Sequence, residues 1–378
     1  MGEQAKELPP EGWSATPARI TSLRMTHTPR ILSLATALPP HRLGQDEALG
    51  VARAVFGPRM RDFERLVPVF ANTGIETRYA VMPIDWYMEP RGWPERTAAF
   101  RDGALSLLEE AAGQALARAG LAPRDVDAIV CASTTGIATP SLEALLLERM
   151  GFRPDTVRLP LFGLGCAGGV LGLTRAGQIA QAMAGRTVLF LVVELCTLAF
   201  RSAEATPTNV VASALFADGA AAAVLRAHDE GDSERGEGPR LVDGAEHTWP
   251  GTQDVMGWRV EDDGLGVIFS QSIPTLIRNR LEPVLDGFLE RRRLARGDLA
   301  GLIVHPGGAK VLHALEEVCA PVSAGLDDAW AVLRRCGNMS AASVLFVLER
   351  RLASGARGPH LMSALGPGFT AALAQVDL

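Results

Sequence analysis

"LLEEAAGQALARAGLAPRDVDAIVCASTTG", residues 107–136, runs from an amphipathic helix through a proline-containing turn into the short apolar strand "DAIVCA". The same order returns at residues 284–308, "VLDGFLERRRLARGDLAGLIVHPGG", which ends in the strand "GLIVH". Unbroken apolar runs after amphipathic helices predict strands covered on both faces. The sequel repeats too. A turn around Cys166 leads into a helix with Val170, Leu173, Ile179 and Met183 on one face, then the strand "TVLFLVVE". A turn around Asn338 leads into a helix with Ala341, Val344, Leu345, Leu348 and Leu352 on one face, then the strand "HLMSALG". Cys131 and Cys166 are 35 positions apart, His305 and Asn338 33. Matched order and spacing predict an α/β fold of two pseudo-duplicated halves about an approximate twofold axis. The halves are expected at 29–240 and 241–378, behind a flexible tail over 1–28. The polar stretch "AHDEGDSERGEGPR" (227–240) reads as a surface loop.

Such an axis brings equivalent positions together, so Cys166 is expected to face Asn338, with His305 at the end of its own strand. Cys166 sits in "FGLGCAGGVLGL" (162–173), among five glycines and no charged side chain. A structural cysteine in a packed turn would have the same local sequence. A reactive one needs partners: a helix N-terminus and a nearby imidazole would lower its pKa and favour the thiolate. The glycines would let a substrate carbonyl approach the backbone N–H groups. His305 projects at the carboxyl edge of a predicted parallel sheet, where sites of α/β folds gather. Asn338 could be a helix cap alone, but the three together in matched places point to nucleophilic chemistry.

The chain has 378 residues, 47% hydrophobic and 21% charged, with a net charge of −6. That balance excludes a general nucleic-acid binder, which needs a basic footprint. An anionic substrate must then be held by local cations, and the only lysines are Lys6 and Lys310. Five cysteines without a C-x-x-C pair fit neither a disulfide scaffold nor a zinc site, so no metal is expected. The first 28 residues lack an apolar signal core. The run "TVLFLVVELCTLAF" (187–200) contains Glu194 and is too short to span a bilayer. A cytoplasmic protein without membrane insertion is the expectation.

Five motifs carry a family resemblance: "GLGCAGG" around Cys166, "ALFADGAAAAVL" around Phe216, "IVHPGG" at His305, "GNMSAASVLFVLE" at Asn338, and "ALGPGFTAAL" near the C-terminus. From about Arg30 to the end the chain resembles the type III polyketide synthases, the chalcone-synthase-like branch of the thiolase superfamily. The resemblance implies a five-layered αβαβα thiolase fold, a homodimer, acyl-CoA and malonyl-CoA as substrates, and no cofactor. It implies that Cys166 carries the growing chain while His305 and Asn338 bind the thioester oxygen of malonyl-CoA during decarboxylation. Phe216 matches the family's aromatic gate. Thr134, Cys196, Ala199, Trp258, Val267 and Ser340 match its cavity wall. Ala199 and Val267 are smaller than their plant counterparts, and Trp258 stands where those enzymes have glycine. For CoA, Arg65 matches one of the family's basic positions, but Pro68 and Asn72 depart from two others. Lys310, beside Gly307 and Gly308 at a helix start, is the expected substitute. The stretch "MPIDWYMEPRGWPERTAAF" (82–100) resembles bacterial enzymes making alkylpyrones and alkylresorcinols, so a medium- or long-chain fatty acyl starter is expected. Three other readings share these residues: a ketoacyl-synthase-III-like single condensation on a carrier protein, a papain-like protease and a non-catalytic homologue. "HPGG" and "GNMS" weigh against the first, and the duplicated α/β pattern against the second.

Overall fold

A computed structural model describes residues 27–227, 238–322 and 324–378. Most of the expected tail and of the 227–240 loop therefore lies outside the described residues. The first half contributes β1 (Pro29–Ala37), β2 (His41–Gly44), α1 (Gln45–Phe56), the short α2 (Phe63–Leu66) and α3 (Pro68–Asn72), β3 (Thr77–Ala80) and α4 (Ile84–Met88). It continues through α5 (Trp93–Arg118), β4 (Ala128–Ala132), α6 (Leu142–Met150), β5 (Val157–Leu161), α7 (Gly168–Ala182), β6 (Thr187–Leu195), α8 (Pro207–Leu215) and β7 (Asp218–Ala227). The second contributes β8 (Arg240–Thr248), β9 (Met256–Val260), β10 (Leu265–Phe269), α9 (Ile273–Arg291), β11 (Gly301–Val304) and α10 (Ala309–Cys319). It ends with α11 (Leu326–Cys336), α12 (Ser343–Ala353), β12 (Pro359–Gly366) and β13 (Thr370–Asp377).

The strand order is β5-β4-β6-β7-β1 in one half and β8-β13-β12-β11 in the other, joined at the single pair Arg30–Arg240. Each half has its first strand antiparallel to its last (β1 to β7, β8 to β13), the last antiparallel to its sheet neighbour (β6, β12), and that one parallel to the next (β4, β11). The expected repeat is therefore present as topology. Among the described residues the second half has no counterpart of β5; α11 packs against β11 there.

Along β4, Ile129 and Cys131 face the cluster under α5, while Ala128, Val130 and Ala132 face the cluster around α7. This period of two on an all-apolar strand is the double covering that the sequence predicted. Helix α7 touches β4, β6 and β7 on one side and β8, β12 and β13 on the other, and α12 bridges the halves likewise. With α5 against β1, β6 and β7, and α9 and α10 on the far side, the layers run αβαβα. Among the described residues no helix is long and apolar enough to cross a membrane.

Candidate active site

The glycines around Cys166 serve packing first. A Cβ at Gly169 would lie 2.2 Å from the Ala341 carbonyl oxygen and 2.6 Å from Val344 Cγ1; one at Gly172 would lie 2.4 Å from the Phe190 ring. The two central helices can meet closely only because α7 starts with glycine. Gly169 and Gly172 thus serve helix packing, while Gly165 lines a cavity. The match between the halves also shifts by three residues. Cys166 lies in the 3-10 turn Gly165–Ala167 before α7, and its topological counterpart is the turn Ser340–Ala342 before α12, with Asn338 just upstream.

A cavity of about 740 Å³ nonetheless has Cys166, His305, Asn338 and Ser340 on its wall, with Phe216, Trp258, Val267 and Gly307. Each element ends there. Cys166 opens α7, His305 follows the last residue of β11, and Asn338 follows Gly337, which ends α11 at φ 71°. The Asn338 carboxamide is fixed from both ends: Nδ2 donates to Gly307 O at 3.0 Å, and Oδ1 accepts from Ser340 N–H at 2.9 Å. That leaves the second Nδ2 hydrogen without an assigned acceptor. Neither ring nitrogen of His305 has a hydrogen-bond partner, and the side chain is 5% exposed. Unpaired donors on the wall of a largely apolar cavity are what a developing oxyanion requires.

The thiol differs from expectation. Its hydrogen-bond partner is Ser340, whose Oγ donates to Sγ at 3.5 Å, and not His305. Burial pushes Cys166 up to about 11, against a smaller lowering by the Ser340 bond. Burial likewise pushes His305 down to about 4, so the imidazole is neutral at pH 7. No hydrogen bond joins Cys166 to His305, and burial disfavours the charged form of each. Ser340 holds its hydroxyl at this place with φ at 46°, a strained conformation for a non-glycine residue. Behind it, the fully buried Glu194 accepts from Thr134 N–H at 3.0 Å and lies 3.5 Å from Ser340 Oγ. Desolvation raises Glu194 to about 7.

A second cavity of about 620 Å³ adjoins the first, with Phe216 and Val267 on the walls of both. Cys196 and Ala199 line the second; Trp258 and Ser340 line the first. Trp258 sits directly opposite Val267 on the β9–β10 hairpin, its ring 5.7 Å from that of Phe216. Thr134 lines neither cavity. It is 5% exposed, and its hydroxyl accepts from Gly165 N–H at 3.0 Å, so it braces the Cys166 turn.

Gly307 lines the first cavity, and Gly308, at φ 145°, turns the chain into α10. Lys310 is exposed in the first turn of that helix. Arg65 is exposed on α2, 3.8 Å from Asp62. Neither cation lines the wall of either cavity.

Sequence reasoning missed Arg78, Tyr87, Thr197 and Asp218. Arg78, 2% exposed, lines the second cavity, and its terminal nitrogens donate to the carbonyls of Ser213, Ala214 and Phe216 and to Gln45. It thereby caps the end of α8 that carries Phe216. One available signal was rarity: Tyr87 is one of two tyrosines in the chain. Among the described residues no group of three or more His, Cys, Asp or Glu is placed to hold a metal ion.

Comparison with known proteins gives the same picture. The family models for chalcone and stilbene synthases match as an N-terminal domain over residues 25–229 and a C-terminal domain over 240–372. A putative chalcone synthase of Bacillus subtilis is 36% identical over 91% of this chain and 97% of its own. A 1,3,6,8-tetrahydroxynaphthalene synthase of Streptomyces peucetius is 38% identical over 90% and 91%. The crystal structure of the 1,3,6,8-tetrahydroxynaphthalene synthase of Streptomyces coelicolor, a bacterial type III polyketide synthase, superposes with a TM-score of 0.85. It is 28% identical and aligned over 92% of this chain and 99% of that one.

Proposed function

The chain belongs to the chalcone and stilbene synthase family of type III polyketide synthases, and from that premise we propose a starter and a role for each site residue. Members of the family are acyltransferases that condense malonyl-CoA iteratively, use CoA thioesters as substrates and need no cofactor; this chain is one of them. In the proposed cycle Cys166 Sγ attacks the starter thioester carbon, the bond from that carbon to the CoA sulfur breaks, and the thiol proton leaves with the CoA as its free thiol. His305 and Asn338 then donate hydrogen bonds to the thioester oxygen of malonyl-CoA. As CO₂ leaves, the electron pair of the breaking C–C bond moves into the enolate they stabilise. Its carbon attacks the Cys166 thioester, a C–C bond forms as the bond to Sγ breaks, and the Cys166 thiolate is released while the chain, two carbons longer, remains on the CoA that carried malonyl. A neutral imidazole suits this role, because its N–H donates a hydrogen bond to the enolate oxygen without protonating the nucleophilic carbon. The observation that carries the reading is that His305, with both ring nitrogens unpartnered, and Asn338 share one apolar cavity with Cys166.

The starter is a medium- or long-chain fatty acyl-CoA, and the products are alkylpyrones or alkylresorcinols. Support comes from the second cavity, whose wall offers Leu43, Val51, Ile84, Ala199, Phe200 and Val267 to an alkyl chain, beside a polar side at Arg78, Tyr87 and Thr197. Phe216 gates the passage between the cavities. Gly307, Gly308, Lys310 and Arg65 would bind CoA on the way in. A homodimer is supported by the unpaired edge strand β5, around which Val157, Phe162 and Ile137 are 50%, 61% and 52% exposed. Five free cysteines accord with the cytoplasm.

Radiolabelled malonyl-CoA with acyl-CoA starters from acetyl to stearoyl, alongside Cys166→Ala, tests this. Triketide or tetraketide pyrones and resorcinols from long starters, absent in the variant, would support it. Products from malonyl-CoA alone would overturn the starter assignment.

A further inference from the structure

Two hydroxyls stand on the wall of the second cavity, backed by a buried carboxyl. Tyr87 Oη lies 2.7 Å from Thr197 Oγ1, and Thr197 Oγ1 donates to Asp218 Oδ2 at 2.5 Å. Tyr87 and Thr197 both line the cavity, while Asp218 is 0% exposed. Asp218 is held rigidly: Val81 N–H donates to Oδ2 and Thr197 N–H to Oδ1, each at 2.8 Å. The three residues come from α4, from the turn after β6 and from the start of β7. Asp218 is two positions after Phe216, so the group sits near the gate and not at the cavity's far end.

A buried carboxyl with one hydroxyl would satisfy the local backbone. The second hydroxyl, which also accepts from Met82 N–H at 3.4 Å, extends the chain of bonds to a second residue of the cavity wall. Each hydroxyl has one hydrogen, so the chain has two senses. With Asp218 ionised, both hydroxyl hydrogens point toward the carboxylate, and Tyr87 Oη offers a lone pair to the cavity. With Asp218 protonated, the sense reverses, and Tyr87 offers its hydrogen. Burial raises Asp218 to about 7 and holds the Tyr87 phenol well above its usual range, so both senses are accessible near neutrality.

We propose that Tyr87 and Thr197, backed by Asp218, form a proton relay that holds a ketone oxygen of the growing poly-β-keto chain and directs carbon–carbon ring closure in the second cavity. This rests on the condensing activity argued above. In the step, the carbon of an enol attacks a ketone carbon of the same chain, and the C=O electron pair moves onto its oxygen. That oxygen takes the Tyr87 proton, Tyr87 takes one from Thr197, and Thr197 takes one from Asp218. The enol becomes a ketone and loses its hydroxyl proton, which returns along the same hydroxyls to Asp218. No proton is gained or lost overall. An alkyl starter would extend past the relay, leaving the oxygenated segment beside it.

The test uses the full chain with lauroyl-CoA and malonyl-CoA. The readout is the ratio of carbon-closed aromatic products to lactone pyrones, per CO₂ released, for Tyr87→Phe, Thr197→Val and Thr197→Ser. The relay requires Tyr87→Phe and Thr197→Val to lower the ratio about tenfold or more, with Thr197→Ser close to the unsubstituted protein. Unchanged ratios would overturn it, as would a Thr197→Ser loss equal to that of Thr197→Val, or lactones alone from the unsubstituted protein. Absence of CO₂ release from the unsubstituted protein would instead overturn the condensing activity on which the relay rests.

Discussion

Asn338 is paired through its backbone with both neighbours of Phe216. Its N–H donates to Leu215 O at 3.0 Å, and its carbonyl accepts from Ala217 N–H at 2.9 Å. The proposed gate and the proposed oxyanion donor thus share one bridge between the halves. Arg78 secures it from below through the Phe216 carbonyl, at 3.1 Å.

Because the Phe216 backbone is fixed at this bridge, truncating its side chain should join the cavities while leaving Asn338 in place. Phe216→Ala is expected to change relative use of bulky over small starters by about tenfold, a loss of discrimination on the scale of a few methylenes. Competition between paired acyl-CoA starters measures it; an unchanged preference would remove Phe216 from the gate.

Decarboxylation and condensation should separate by residue. Cys166→Ala should still release CO₂ from malonyl-CoA, since the enolate is held by His305 and Asn338, yet form no elongated product. Asn338→Ala should lower CO₂ release by about 10²–10³, the loss for one oxyanion donor. Equal losses in both variants would contradict this division of labour.

The thiol should be slow to alkylate at neutral pH. With Cys166 near 11, the thiolate fraction and the iodoacetamide rate rise about tenfold per pH unit from 7 to 10. The Ser340 bond lowers the thiol, so Ser340→Ala should raise its pKa and slow alkylation at pH 8. His305, near 4, stays neutral throughout that range. A plateau beginning below pH 7 would show instead a thiolate stabilised in the free enzyme.

Glu194 links the site to stability. Its folded value of about 7 lies above its ordinary value of 4.5, so the protonated form favours the fold. That contribution is complete below about pH 4.5 and is lost as pH rises through 7. Melting temperatures of the wild type should therefore fall relative to Glu194→Gln between pH 5 and 8; a constant difference would refute the burial effect.

Gly169→Ala should cost about 1–3 kcal/mol by overpacking against the Ala341 carbonyl and Val344. Urea denaturation of both proteins would show it. Stability within 0.5 kcal/mol would mean that α7 and α12 can separate without penalty.

The sequence by itself determined the doubled α/β architecture, because strand and helix periods are local properties and "DAIVCA" and "GLIVH" carry them without their partners. It also singled out Cys166, His305 and Asn338, whose residue types few folds place at matched turns. Only the tertiary structure decided how these residues meet. The three-residue shift that pairs Cys166's turn with Ser340–Ala342 depends on how closely glycine lets two helices approach. The thiol's partner, Ser340, lies 174 positions away, and its pKa follows from burial that no local pattern encodes. Thr134 looked like a cavity residue by position and became a brace because its hydroxyl points to Gly165. Tyr87, Thr197 and Asp218 carry no shared spacing, since a hydrogen-bonded chain between separate elements is a property of their packing and not of their order.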